Sequence, residues 1–211
     1  METVNLSKEN IFLSLVNHNY CKDKLVGKPS RTFLDMDVAY SFSRPDSSIG
    51  TAWLKDEDMK ALGLSEEELY DTALINTMKR YPARIEKLED IVMEMMNISC
   101  GSAEGFELDQ EFRMPIYYLG NTSCSNGSAV ILYSNILKRI GELFGEDYYI
   151  LPSSIHEYLI IPESGIEGNI SYLLEMVRSV NRSVLTEDMV LSDSVYHYCL
   201  KSNNLSMISQ I

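Results

Sequence analysis

The densest group of chemically able side chains lies in one short segment, at Ser153, Ser154, His156 and Glu157. Nucleophilic catalysis by serine needs an adjacent base and a third group that orients this base, and the segment supplies those residue types. Its spacing is unfavourable, because in an extended segment His156 and Ser154 share one face while Glu157 points to the other. No Gly-x-Ser-x-Gly elbow is present. The alternative is a polar turn in which serine hydroxyls satisfy backbone groups and His156 bonds a neighbour.

Two acidic residues, Asp35 and Asp37, form a second candidate on a predicted strand over residues 33–42. Because strand side chains alternate, both carboxylates should project from one face, about 7 Å apart. Paired carboxylates can carry out acid–base chemistry or hold a divalent cation. Since the pattern contains no third ligand, a solvated strand face is the simpler interpretation.

Histidine and cysteine spacing gives no recognised metal motif. His18 precedes Cys21 by three positions and His197 precedes Cys199 by two, whereas structural zinc sites use close Cys-x2-Cys pairs. The glycine-containing loops match neither a phosphate-binding loop nor a dinucleotide fingerprint. The sequence therefore predicts neither a metal ion nor a cofactor.

Three polar residues of a late helix, Arg178, Asn181 and Arg182, occupy about one helical turn and could grip an anion. Cations near a helix C-terminus also complement the helix dipole. Stabilisation of the helix therefore explains these residues without a ligand.

The charge balance limits the classes of partner. The chain has 211 residues, with 18 Lys plus Arg against 31 Asp plus Glu, a formal net charge of −13. This charge disfavours nucleic acid and anionic membrane surfaces, which are bound through basic clusters, and leaves a protein partner or self-association. The N-terminal segment has no signal-peptide pattern, and the four cysteines are scattered. These features indicate a cytoplasmic protein with reduced thiols.

The N-terminal half predicts a helix, a β-hairpin and further helices. Ser7 caps the first predicted helix, which has a stripe of five apolar residues, Ile11, Phe12, Leu15, Val16 and Tyr20. The strand over residues 33–42 returns through a polar turn at 44–48 to a strand at 49–54. Three helices are predicted next. The first covers residues 56–62, the second begins at a capping box formed by Ser65 and Glu68, and the third begins after Pro82.

The C-terminal half predicts alternating short strands and helices. Strands are expected at 113–119, 129–133, 148–151, 156–161 and 195–200. A helix capped by Ser134 should cover residues 136–144, and another 170–180, before a polar tail. Clustered hairpins and helices favour an α+β fold with an antiparallel or mixed sheet, and the alternative is a mixed α/β sandwich. The polar segment 98–112 is a possible linker between halves at 1–97 and 113–211, although the two could form one domain.

Several segments together resemble an uncharacterised family of bacterial proteins from anaerobic, gut-type Gram-positive species. The most specific is Tyr-Ile-Leu-Pro-Ser-Ser-Ile-His-Glu at residues 149–157. Weaker matches lie at residues 31–35, 127–133, 177–182 and 191–193. The family has no known activity, so the resemblance implies an architecture and leaves the function open.

Two functional hypotheses follow. The first is a noncatalytic binding or protein-interaction protein, because the surface is acidic and the chain contains no assembled catalytic set. The second is a hydrolase-like or metal-dependent enzyme centred on His156, with Glu157 and Ser154 beside it.

Overall fold

The computed structural model describes residues 6–43, 51–93, 115–166, 168 and 170–209, and shows an α+β fold of two antiparallel sheets with helices against them. The candidate linker at 98–112 and the turn at 44–48 lie outside these residues. The strands are β1 (Ile11–Asn17), β2 (Ser30–Phe33), β3 (Met36–Ser43), β4 (Thr51–Trp53), β5 (Ala83–Lys87), β6 (Tyr117–Asn121), β7 (Tyr148–Ser154), β8 (Glu157–Pro162), β9 (Val195–Cys199) and β10 (Asn204–Ile208). The α-helices are α1 (His18–Cys21), α2 (Asp56–Ala61), α3 (Glu66–Arg80), α4 (Ile136–Phe144) and α5 (Ile170–Ser183). Residues 88–93 are also helical.

The first sheet has the order β1-β3-β2, and β4 pairs with the distal part of β3. The predicted first helix is wrong, because Ile11, Phe12, Leu15 and Val16 lie in β1 rather than on a helix. Both faces of β1 are buried, so its apolar residues run almost continuously. Such a run cannot be distinguished from a buried helix by periodicity alone.

Helix α3 covers the outer edge of β1 with side-chain hydrogen bonds. Thr77 Oγ1 accepts the backbone N–H of Leu13 at 2.8 Å, and Asn76 Nδ2 donates to the carbonyl of Ile11 at 3.0 Å. The predicted capping box at the start of α3 is present, since Ser65 and Glu68 bond each other's backbone N–H groups. The helix thereby satisfies polar groups of an edge strand that would otherwise lack partners.

The second sheet has six antiparallel strands in the order β10-β9-β7-β8-β6-β5. Four predictions here are wrong. Ile85 lies in β5, so the helix expected after Pro82 begins only at residue 88. Residues 129–133 belong largely to a 3-10 helix, Gly127–Leu132, rather than to a strand, and the predicted polar tail contains β10. The cap of α4 is Asn135, in a left-handed conformation, rather than Ser134.

One hydrophobic cluster joins the two sheets and includes Leu13 and Val38 from the first sheet and Ile150 and Ile160 from the second. Its largest fully buried side chains include Tyr148, Tyr158, Tyr196 and Tyr198. A second cluster lies between the opposite face of the six-stranded sheet and α5. No helix within the described ranges is long and apolar enough to cross a membrane.

Candidate functional site

The predicted segment 153–157 forms the turn between β7 and β8. Ser154 pairs with Glu157 across this turn, after a β-bulge near Pro152. Ser154 Oγ donates to Glu157 Oε1 at 2.8 Å and accepts the backbone N–H of His156 at 3.0 Å. The turn thus brings Ser154 to Glu157, whereas uninterrupted strand geometry had predicted opposite faces for them.

His156 points away from this pair, toward the loop before the 3-10 helix. Its Nδ1 accepts the backbone N–H of Asn126 at 2.9 Å, so Nδ1 carries no proton. The next residue after Asn126, Gly127, lies very close to the β7–β8 turn. A Cβ atom at this position would lie only 2.2 Å from the carbonyl oxygen of His156. The same Cβ would lie 2.9 Å from the backbone nitrogen of Asn121. Only glycine fits between these two backbones.

Asp35 does not share a strand face with Asp37, which corrects the predicted carboxylate pair. It occupies the two-residue turn between β2 and β3, next to Leu34 with φ 57°. A left-handed conformation costs a residue other than glycine roughly 1–2 kcal/mol. This turn directs the Asp35 carboxylate toward the second sheet.

Three hydroxyl groups donate to Asp35. Ser192 Oγ and Ser194 Oγ lie 2.7 and 2.8 Å from Oδ2, and the Tyr196 hydroxyl lies 2.5 Å from Oδ1. Burial and the adjacent Asp35 carboxylate raise the pKa of Tyr196 far above its ordinary value. We call Asp35 and these three partners the Asp35 clamp, since it joins the first sheet to β9 and the segment before it.

Asp37 lies on β3 and is buried. It accepts hydrogen bonds from His18 Nδ1 at 2.9 Å and Thr32 Oγ1 at 3.1 Å. Desolvation by burial raises the pKa of the nearby Cys21 thiol, the nearby Asp37 carboxylate raises it further, and Lys24 partly opposes them. A raised pKa leaves less of the reactive thiolate, which is unfavourable for nucleophilic use of Cys21.

The polar residues of α5 bind neighbouring chain segments. Asn181 Nδ2 donates to Ser192 O at 2.9 Å and to Asp193 Oδ1 at 2.8 Å. Arg178 Nη2 donates to the carbonyl of Ser209 at 2.6 Å. The two Asn181 bonds hold the segment that carries the serines of the Asp35 clamp. Asp35, His156 and Arg178 therefore contact different parts of the structure.

A shallow groove lies beside β5. Its volume is about 530 Å³, and it is lined by Ala83, Arg84, Ile85, Glu86 and Thr122. Arg84 and Glu86, both on β5, form a two-point ion pair with both N–O distances 2.7 Å. None of the predicted site residues 153–157 lines this groove.

The sequence prediction missed one cluster of ligand-type side chains, formed by Asp147, Glu163 and His197. One ligand atom from each residue lies within 4.8 Å of the other two. Asp147 directly precedes β7 and Glu163 directly follows β8. The two open ends of a β-hairpin lie side by side. Because both strands were predicted from the sequence, the proximity of Asp147 and Glu163 could have been predicted as well. His197 was noted only with Cys199, which is not part of this cluster.

Comparison with known proteins gives one match. The model of a family of unknown function, DUF5688, matches residues 1–200. No curated protein and no solved structure matches the chain. Because the match covers far more than half of the chain, this protein belongs to the DUF5688 family of unknown function.

Proposed function

We propose that this protein is a noncatalytic protein-interaction protein that binds an extended segment of a protein partner along the outer edge of β10. The observation that carries this proposal is an unguarded edge strand. Within the described residues β10 pairs with β9 alone, and its sequence Asn-Leu-Ser-Met-Ile contains neither proline nor a charged residue. Natural edge strands are usually protected by such residues, because unpaired N–H and C=O groups recruit other strands.

The opposite edge of the same sheet provides a contrast. β5 has the sequence Ala-Arg-Ile-Glu-Lys, with three charges in five residues. In β10, Met207 is 41% exposed and offers an apolar contact beside the backbone groups. This asymmetry favours β10 over β5 as the strand that accepts a partner.

The occupied reactive groups support a noncatalytic role. Ser154 and Glu157 bond each other, His156 Nδ1 accepts a backbone N–H, and Asp35 accepts three hydroxyl groups. The His156 ring bonds Asn126 rather than Ser154, so this histidine is not positioned as the base of a serine nucleophile.

The charge of the chain indicates the chemistry of the partner. A net charge of −13 attracts a basic segment and opposes close approach of a second copy. We therefore propose a basic protein segment as the occupant, in a cytoplasmic setting.

The test compares Met207→Lys with Leu143→Lys, an equal change at a residue that is 68% exposed on α4. Tagged wild type and variants are cross-linked in cells that naturally express the chain, and the captured proteins are identified by mass spectrometry. A synthetic peptide from the captured partner is then titrated by fluorescence anisotropy. We expect Met207→Lys to weaken peptide binding at least tenfold, because it places a cation beside a basic strand, and Leu143→Lys to bind like wild type.

Three results would overturn the proposal. One is equal binding by Met207→Lys and wild type. Another is a wild-type dimer in light scattering that Met207→Lys dissociates, which would make a second copy the occupant. The third is turnover in a broad hydrolase screen that His156→Ala abolishes and His18→Ala does not, which would favour an enzyme centred on His156.

A further inference from the structure

We infer that Asp147, Glu163 and His197 form a binding site for a divalent first-row transition-metal ion. The site goes beyond the proposed edge-strand interaction and does not depend on it. It consists of the carboxylates of Asp147, directly before β7, and Glu163, directly after β8, and the imidazole of His197 on β9, within 4.8 Å of one another.

The register of the sheet places the three side chains on one face. Tyr149 on β7 pairs with His197 on β9 and with Ile161 on β8. Asp147 lies two residues before Tyr149, and Glu163 lies two residues after Ile161. Because side chains on one face recur every second residue, all three ligands point toward the side of the sheet that α5 covers.

The backbone holds the two acidic residues in place. The backbone N–H of Glu163 donates to the carbonyl of Asp147 at 3.0 Å, which continues the β7–β8 ladder by one step. Asp147 Oδ1 accepts the backbone N–H of Leu200 at 2.8 Å, and this bond orients the carboxylate. Such a bond acts as an outer-shell contact that fixes a ligand before the metal binds.

The His197 ring gives a second, independent observation in favour of a metal site. His197 Nε2 is buried and has no hydrogen-bond partner in the described part of the chain. It lies 3.9 Å from Glu163 Oε1, beyond hydrogen-bond distance. A metal ion between these two atoms could lie about 2.0–2.2 Å from each, which are ordinary bond lengths to nitrogen and oxygen ligands. The ring also stacks near Tyr149, with centroids 4.9 Å apart, so its orientation is restricted.

The local charge favours a cation. Two carboxylates lie beside the imidazole. One imidazole and two carboxylates suit Mn²⁺, Fe²⁺, Co²⁺ or Zn²⁺, whereas Ca²⁺ and Mg²⁺ prefer oxygen ligands alone. The Glu163 side chain is 53% exposed, which leaves an entry path and positions for water ligands.

Mn²⁺ is the probe for the test, because thiolates select Zn²⁺ and Cys124 is exposed. Isothermal titration and Mn²⁺ electron paramagnetic resonance compare wild type with Glu163→Gln and His197→Gln. The control Glu57→Gln makes the same charge change at a side chain that is 75% exposed, on α2. Thermal unfolding without metal establishes that each variant folds.

We expect one saturable Mn²⁺ per wild-type chain and a rise in the unfolding temperature on binding. Glu163→Gln and His197→Gln should weaken binding at least tenfold and lose that rise, whereas Glu57→Gln should behave like wild type. Equal binding by wild type and Glu163→Gln would show diffuse attraction to the acidic surface and overturn the site. Absence of saturable binding to wild type would also overturn it.

Discussion

Asp35 shows how one carboxylate can connect two sheets. It leaves the first sheet in a turn and accepts hydroxyl hydrogens from Ser192, Ser194 and Tyr196, all of which are buried. A hydrogen bond to a charged group contributes roughly 1.5–3 kcal/mol to stability, and a buried donor left without a partner is costly. The carboxylate is therefore explained by its structural contacts.

We predict that Asp35→Ala lowers the free energy of unfolding by about 3 kcal/mol or more, since it leaves three buried hydroxyl groups without their acceptor. Tyr196→Phe removes one donor and keeps the carboxylate, so its cost should be about 1–2 kcal/mol. Urea denaturation followed by circular dichroism measures both values. Equal midpoints for Asp35→Ala and wild type would contradict the role of the clamp.

Sequence reasoning identified Asp35 and His156 as notable but could not supply their partners. The hydroxyl groups that bind Asp35 lie at least 157 positions away along the chain, and no local pattern reports such a contact. The partner of His156 is a backbone N–H, which every residue other than proline offers. The sequence therefore identified the candidate residues, whereas their hydrogen-bond partners could be known only from the fold.

At the scale of elements, α3 protects the edge of β1. Thr77 is 3% exposed and has two roles, since its Oγ1 accepts from Leu13 N and donates to Ala73 O at 2.6 Å. A helix usually packs on a sheet through apolar contacts, and here one hydroxyl group also replaces a missing strand neighbour.

We predict that Thr77→Val lowers the free energy of unfolding by about 1–3 kcal/mol, because the shape is kept while the buried N–H of Leu13 loses its acceptor. Thr72→Val makes the same chemical change at a half-buried position of α3 and should cost less. Denaturation midpoints compare the two, and hydrogen exchange at the Leu13 amide should quicken in Thr77→Val alone. Equal costs for the two substitutions would refute the edge-protecting role.

Element prediction succeeded where two signals agreed. The capping box at Ser65 and the apolar stripe both marked α3, and strands β7, β8 and β9 were found from their apolar runs. It failed at β1, which is buried on both faces, and at β10, which is too exposed to show a strand pattern. Tertiary surroundings, rather than local sequence, decided both cases.

At the scale of the whole molecule, the core is rich in tyrosine. Burial raises the pKa values of Tyr133, Tyr148, Tyr158 and Tyr196 far above the ordinary value, and that of Tyr40 to about 12. Each of these side chains is less than a tenth exposed. The folded state therefore keeps phenol protons that the unfolded chain releases above about pH 10.

We predict a steep loss of stability in alkali. Below about pH 10 both states hold the protons and this contribution is constant, whereas above it only the unfolded state loses them. The free energy of unfolding should then fall by up to roughly 1.4 kcal/mol per pH unit for each buried tyrosine. For Tyr40 this loss occurs between about pH 10 and its folded pKa of about 12.

Denaturation series at several alkaline pH values, with phenolate absorbance measured alongside, would check this expectation. Tyr40→Phe is the matched variant. It should make the fall of the unfolding free energy with pH less steep by the contribution of one buried tyrosine. Phenolate formation at an ordinary pKa in a chain that stays folded would contradict it.

The Asp35 clamp also has a consequence for biosynthesis. Translation produces Asp35 at least 157 residues before Ser192, Ser194 and Tyr196. Closing so long a loop carries an entropic cost before any hydrogen bond forms. We therefore expect a nascent chain that ends before residue 192 to remain sensitive to protease, and to become resistant only after β9 has been synthesised.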